Sequence, residues 1–138
     1  MIRIVTESMS DFTQEEAKAA DLIVMPLPIR FGMEEYWDDG VSLTQDDFYA
    51  RLRVAKELPK TSQVPVEHYR KCFNRLLENP EDEVLVITGS SKLSGCYQSA
   101  CIAREACHDP ARVTVLDSLN ATCAEYMHVD QALRYRRE

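Results

Sequence analysis

Glu83-Val84-Leu85-Val86-Ile87-Thr88, running straight into Gly89-Ser90-Ser91-Lys92-Leu93-Ser94-Gly95, is the stretch from which the fold class follows. Residues 83–88 are a short apolar, β-branched run, the strongest strand signal in the chain. Residues 89–95 form a Ser/Gly loop, and the sequence after it predicts a helix to about Cys107. Strand, hydroxyl-rich loop and helix make part of a βαβ unit, so its neighbours should be of the same kind. Downstream, Val113–Asp117 is the next strand and Ala121–Arg137 a last helix. Upstream, a helix from Val66 to Glu78 buries Tyr69, Phe73, Leu76 and Leu77 and stops at Asn79-Pro80.

Towards the N-terminus the alternation continues. Ile2–Thr6 is a buried strand, and Thr13 with Glu16 is a capping box for a helix over Gln14–Ala20. Leu22–Met25 is a second strand, closed by Pro26 and Pro28, and Ile29–Trp37 alternates around Gly32 as a small hairpin. Asp38-Asp39-Gly40 is a turn, after which Thr44 caps a helix to about Ala55 with Phe48, Leu52 and Ala55 on one face. Lys56–Pro65 is a polar connection. The whole predicts one three-layer α/β/α domain over residues 1–138 with a mostly parallel sheet of about four to six strands. Ligands of such sheets sit beyond the carboxyl ends of the strands. That places the candidate site where Thr6–Ser10, Gly89–Gly95 and Asp117–Asn120 should gather along one edge.

Composition narrows the class. The 138 residues are 45% apolar and 28% charged, ordinary for a globule and unlike a disordered or fibrous chain. Twenty-three acids against 16 bases give a net charge of −7, which argues against a nucleic-acid binder. No apolar run is long enough to span a membrane, and Met1–Thr6 is no signal h-region. Cys72, Cys96, Cys101, Cys107 and Cys123 are an odd set without CxxC or zinc-ligand spacing, so a reduced, cytoplasmic protein without metal is expected. Asn120-Ala121-Thr122 matches a glycosylation acceptor by chance in such a setting.

Gly89–Gly95 enters a helix N-terminus, where free amides and the helix dipole favour an anion and where Ser90, Ser91 and Ser94 add hydroxyl donors. Serine capping of an ordinary helix explains the same residues, and spacing alone does not choose. The loop is not a P-loop, because Cys96 stands where lysine should follow the glycine, and it is no nucleophile elbow. Thr61-Ser62-Gln63 is either a plain turn or a ligand contact held by the scaffold. Glu7 and Asp11 read as solvated loop carboxylates, and Lys92 as a solvated loop lysine. His68, His108 and His128 read as surface residues, and Cys96 as a buried, inert thiol. Phe48, Phe73, Leu76 and Leu77 are core. No catalytic residue and no cofactor site is assigned.

Taken together, Lys60-Thr61-Ser62-Gln63 and Ser90-Ser91-Lys92-Leu93-Ser94-Gly95-Cys96-Tyr97-Gln98-Ser99-Ala100 resemble the DegV family of bacterial fatty-acid-binding proteins. Val5-Thr6-Glu7-Ser8-Met9-Ser10-Asp11, Asp39-Gly40 and Val115-Leu116-Asp117-Ser118 fall in the family order, so the likeness runs from residue 1 to about 118. It implies the N-terminal lobe of a two-lobed carrier that holds a long-chain fatty acid as ligand. The carrier would present the acyl carboxylate to a fatty-acid kinase. Carried over, Thr61, Ser62, Ser94 and Gly95 form the carboxylate cradle, with Ser90, Ser91, Cys96, Thr6 and Asp117 behind them. The chain departs from the family pattern in four places. Cys96 replaces the usual Thr, Glu7 the usual Asp, and Val64-Pro65 the commoner Pro-Ser; Ala124, Glu125 and Tyr126 stand where small and Gly residues are usual. The second lobe is expected to be absent from this chain, with weak lipid retention and self-association through the uncovered face as the result. Two other functions remain open from the residues: a small phosphoryl- or acyl-transfer enzyme using the serine loop, and an interaction lobe that binds no lipid.

Overall fold

The structure is a computed structural model describing residues 1–138. In chain order its elements are β1 (Ile2–Glu7), a 3-10 turn (Ser8–Ser10), α1 (Gln14–Ala19), β2 (Leu22–Met25), β3 (Pro28–Phe31) and β4 (Glu34–Trp37). Then follow α2 (Gln45–Val54), β5 (Lys60–Thr61), α3 (Val66–Leu76), β6 (Glu83–Thr88), α4 (Cys96–Glu105), a 3-10 turn (Pro110–Arg112), β7 (Val113–Asp117) and α5 (Cys123–Arg137). The local signals hold where they are strongest. Thr13 Oγ1 accepts the Glu16 amide at 3.2 Å while Glu16 Oε2 accepts the Thr13 amide at 2.9 Å, the reciprocal capping box. Thr44 caps α2 by accepting the Asp47 amide at 3.1 Å.

Four parallel strands form the main sheet in the order β2-β1-β6-β7, as the strand–helix alternation requires. β1 is central: Ile4 pairs with Leu22 on one side and with Leu85 on the other. The chain first winds one way from β1 and later returns on its other side, so the β1–β6 boundary is a topological switch point. Both faces are covered. Tyr69, Phe73, Leu76, Ala100 and Ala103 from α3 and α4 bury one face against Val5, Val84 and Val86. Ala17 of α1 and Val129 and Leu133 of α5 bury the other against Ile4, Leu22 and Ile87. Full burial of the valine, leucine, isoleucine and phenylalanine side chains among them stabilises by about 1.5–3 kcal/mol each.

A second, antiparallel sheet in the order β4-β3-β5 stands beside the first. Its hairpin turns at Gly32, whose φ of +60° suits a residue without Cβ. The expected polar connection over Lys56–Pro65 is corrected here, because Lys60 and Thr61 pair with Arg30 and Ile29. Two residues carry no readable periodicity, so this strand exists only because β3 offers an open edge. The consequence is positional: the Thr61-Ser62-Gln63 segment is fastened at its start, and the Ser62 amide donates to Pro28 O at 3.2 Å. Helix α2 buries no residue fully; Phe48 and Leu52 are half-buried, and Ala55 lies exposed beyond its end. Helices α3 and α4 end at Leu76 and Glu105, short of the expected Glu78 and Cys107.

Candidate functional site

The loops leaving β1, β6 and β7 gather at one edge, as the alternation predicted. The Ser118 amide donates to Thr88 O (3.0 Å), the Ser90 amide to Asn120 O (2.7 Å) and the Thr122 amide to Met9 O (3.0 Å). Asp117 Oδ1 accepts the Ser91 and Leu119 amides at 3.2 and 2.9 Å. Burial alone would raise this carboxyl, but the hydrogen bonds from Ser91 and Leu119 outweigh it and hold Asp117 below its ordinary value. Asp117 is therefore a brace between two loops.

The serine loop is folded back on itself, with the Leu93 and Ser94 amides donating to Ser90 O at 2.9 and 3.0 Å. Ser90 is buried, and its Oγ accepts the Lys92 amide at 3.2 Å. Ser94 Oγ accepts the Cys96 amide at 3.2 Å, which leaves its own O–H to point elsewhere. Gly95 precedes α4, and its amide has no backbone acceptor. The Thr61–Val64 segment lies alongside. A Cβ on Gly95 would stand 3.1 Å from Gln63 Cδ, and the Val64 amide reaches Cys96 Sγ at 3.5 Å. Thr61 also lines a cavity of about 590 Å³ bounded by Ile29, Leu43, Phe48 and Asp38. Thr61 and Ser62 are exposed, Ser94 and Gly95 half-buried. No cluster of three or more His, Cys, Asp or Glu is arranged to hold a metal ion.

A family model described as "Uncharacterised protein, DegV family" matches residues 1–138. The chain belongs to the DegV family. It is 38% identical to a DegV domain-containing protein of Caldanaerobacter subterraneus, over 96% of this chain and 46% of that one. A Thermotoga maritima relative named "Fatty acid-binding protein" is 35% identical, over 89% of this chain and 42% of its own length. Among solved structures, a stearic acid-binding protein of Eubacterium ventriosum superposes with a TM-score of 0.90 at 30% identity, covering 99% of this chain and 48% of that one. A DegV family protein of Thermus thermophilus, described by its fatty-acid binding, superposes with a TM-score of 0.87 at 32% identity, over 99% and 47%. The chain thus spans about half the length of the DegV relatives it matches.

Within this DegV fold the candidate residues divide. Gln63 and Val64 meet Gly95 and Cys96 directly, which brings the two motif segments side by side. Thr6 turns inward and donates to Glu125 Oε1 at 3.2 Å, wholly buried. Cys96 is also wholly buried, and burial pushes its thiol up, as expected of an inert cysteine. His68, His108 and His128 are exposed, as is Lys92.

Glu7 overturns its reading as a solvated carboxylate. It has no exposed surface, and its Oε1 accepts the Gly89 amide at 2.6 Å. Its carboxyl neighbour is the equally buried Glu125, whereas Asp11 stays exposed. The only trace of this in the sequence is Glu125 itself, a large acid among residues that are usually small in the family. Gly89 is enclosed by the pair. A Cβ there would stand 2.6 Å from Met9 Sδ and 3.0 Å from both Glu125 Oε2 and Glu7 Oε1. Gly89→Ala is expected to cost about 1–3 kcal/mol by overpacking. Gly95→Ala should cost less, because the flexible Gln63 side chain can move aside. Urea unfolding of both variants checks the order; equal losses would show that the crowding at Gly89 is unimportant.

Proposed function

We propose that this chain is the lipid-binding lobe of a fatty-acid carrier, with Thr61, Ser62, Ser94 and the Gly95 amide as the carboxylate cradle. The observation that carries the reading is the contact of Gln63 and Val64 with Gly95 and Cys96 at a helix N-terminus, while Thr61 of the same segment lines a cavity of about 590 Å³. That volume lies within the usual ~300–1,000 Å³ of small-molecule sites. Hydroxyl and amide donors suit a carboxylate, since hydrogen bonds to the charged form stabilise it without a reactive base. The lining of the cavity supports one orientation of the ligand. Within a mostly polar lining, Phe12, Val24, Ile29, Leu43 and Phe48 offer an acyl chain apolar contact, while Asp11, Glu15, Asp38 and Asp39 disfavour a carboxylate, which favours the head group at Thr61.

In the full carrier this cradle presents the carboxylate to a fatty-acid kinase, in the cytoplasm, and a second lobe completes the walls around the acyl chain. Leu93, Leu116 and Leu119 stand exposed on the loop edge, where that lobe or a second copy of the chain would cover them. Residues 1–138 prepared without a second lobe are expected to hold lipid weakly and to self-associate, which light scattering reads directly.

Titration of ¹⁵N-labelled protein with decanoate tests the cradle even when binding is weak. The amides of Thr61, Ser62, Ser94 and Gly95 should shift with decanoate and not with its methyl ester, which lacks the charge. Equal responses to both, or shifts confined to other segments, would reject the assignment.

A further inference from the structure

Glu7 ends β1 and Glu125 lies in the first turn of α5, and neither carboxyl has any exposed surface. One donor reaches each: the Gly89 amide to Glu7 Oε1 at 2.6 Å and the Thr6 hydroxyl to Glu125 Oε1 at 3.2 Å. The remaining oxygens, Glu7 Oε2 and Glu125 Oε2, have no partner at all. Neither residue forms an ion pair. The titratable groups that face them are Tyr69 from α3, Cys96 from α4 and Asp11 after the first 3-10 turn, none of which can supply positive charge. Two buried carboxylates with two donors between them would be a dianion in a medium that solvates charge poorly. Both carboxyls close round Gly89, and one proton shared between them turns that repulsion into a charge-assisted O–H···O⁻ bond.

We propose that Glu7 and Glu125 share a single proton at neutral pH, forming a pH-sensitive clamp that fastens the start of α5 to the β1–β6 switch point. Loss of that proton sets two negative charges against each other and pushes the first turn of α5 outward. The Thr122 amide to Met9 O and the Ser90 amide to Asn120 O tie the segment that leads into α5 to the other loops, so the loop edge loosens with it. The clamp stands on the carboxyl geometry and does not depend on the lipid reading.

Burial, and for Glu125 also the negative charge of Glu7, drives the carboxyls upward from the ordinary 4.5, Glu7 to about 7 and Glu125 to about 9. A carboxyl raised in the folded state binds its proton more tightly there than in the unfolded chain. Its contribution is complete below about pH 4.5 and is lost as pH rises through about 7 and then about 9. Denaturant unfolding between pH 5 and 9 should show the folded-to-unfolded ratio falling up to about tenfold per pH unit for each net proton held. Glu125→Gln carries a permanent N–H donor in place of the proton and should flatten this slope, as should Glu7→Gln. Should either variant fail to fold, the infrared spectrum of the wild-type chain decides. A protonated-carboxyl band at pH 7 that disappears on alkaline titration supports the clamp. Absence of that band at pH 7, or wild-type stability that is flat or rises from pH 5 to 9, would overturn it.

Discussion

Phe73→Ala is expected to lower the unfolding free energy by about 3–5 kcal/mol, the usual cost of removing a buried aromatic ring. Phe73 is 0% exposed at the centre of α3 and belongs to the larger of the two apolar clusters. Its ring lies 5.7 Å from that of Tyr69, and the two together seal α3 against the main sheet. Val5, Val84 and Val86 of the same cluster belong to strands held on both sides and are not free to collapse into the gap. Most of the lost contact therefore stays lost. A control at Met33, 98% exposed in the hairpin turn, should stay within about 0.5 kcal/mol when changed to alanine. Urea unfolding followed by circular dichroism gives both values. A Phe73→Ala loss below about 1 kcal/mol would mean that α3 is not seated on the sheet as described.

The second large effect is on ligand affinity. Each hydrogen bond to a carboxylate is worth about 1.5–3 kcal/mol, so Ser94→Ala and Thr61→Ala should each weaken decanoate binding by about tenfold to hundredfold. The double variant should lose more than either single one but less than the product of the two, because both hydroxyls bind the same carboxylate and are not independent. Ser94→Ala carries a further, structural cost, since the Cys96 amide loses its acceptor at the start of α4. By analogy with a lost helix cap, that cost is about 1 kcal/mol of stability. Thr61→Ala has no such cost, being exposed and held by backbone pairing to Ile29. Comparing the two separates an affinity effect from a folding effect. Unchanged decanoate affinity in the double variant would rule out these hydroxyls as the cradle.

Periodicity and capping are local properties, and what depends on them was legible. The β1 and β6 runs, the Thr13–Glu16 capping box, the hairpin around Gly32 and the exit of the serine loop into α4 are all written within a dozen residues. So was the family, because Thr61-Ser62-Gln63 and the segment from Ser90 to Ala100 each survive as continuous motifs. Their order along the chain was enough to place the loop edge.

The strand pairing of Lys60 and Thr61, the inward turn of Thr6 and the meeting of Glu7 with Glu125 had no such local record. β5 is too short to alternate and forms because β3 presents free backbone groups to it. Thr6 and Glu125 stand 119 positions apart and touch only once α5 lies across the end of β1. Glu7 reads as a solvated acid because its neighbours Thr6, Ser8 and Ser10 are polar; in the fold its carboxyl is buried against Gly89 beside Glu125, out of reach of water. Sequence by itself determined the alternation of strands and helices and the chemistry offered at the loop edge, since both follow from residue type and short-range spacing. Tertiary structure alone decided which of those polar groups face solvent and which face each other, because burial is set by every element packed around a residue.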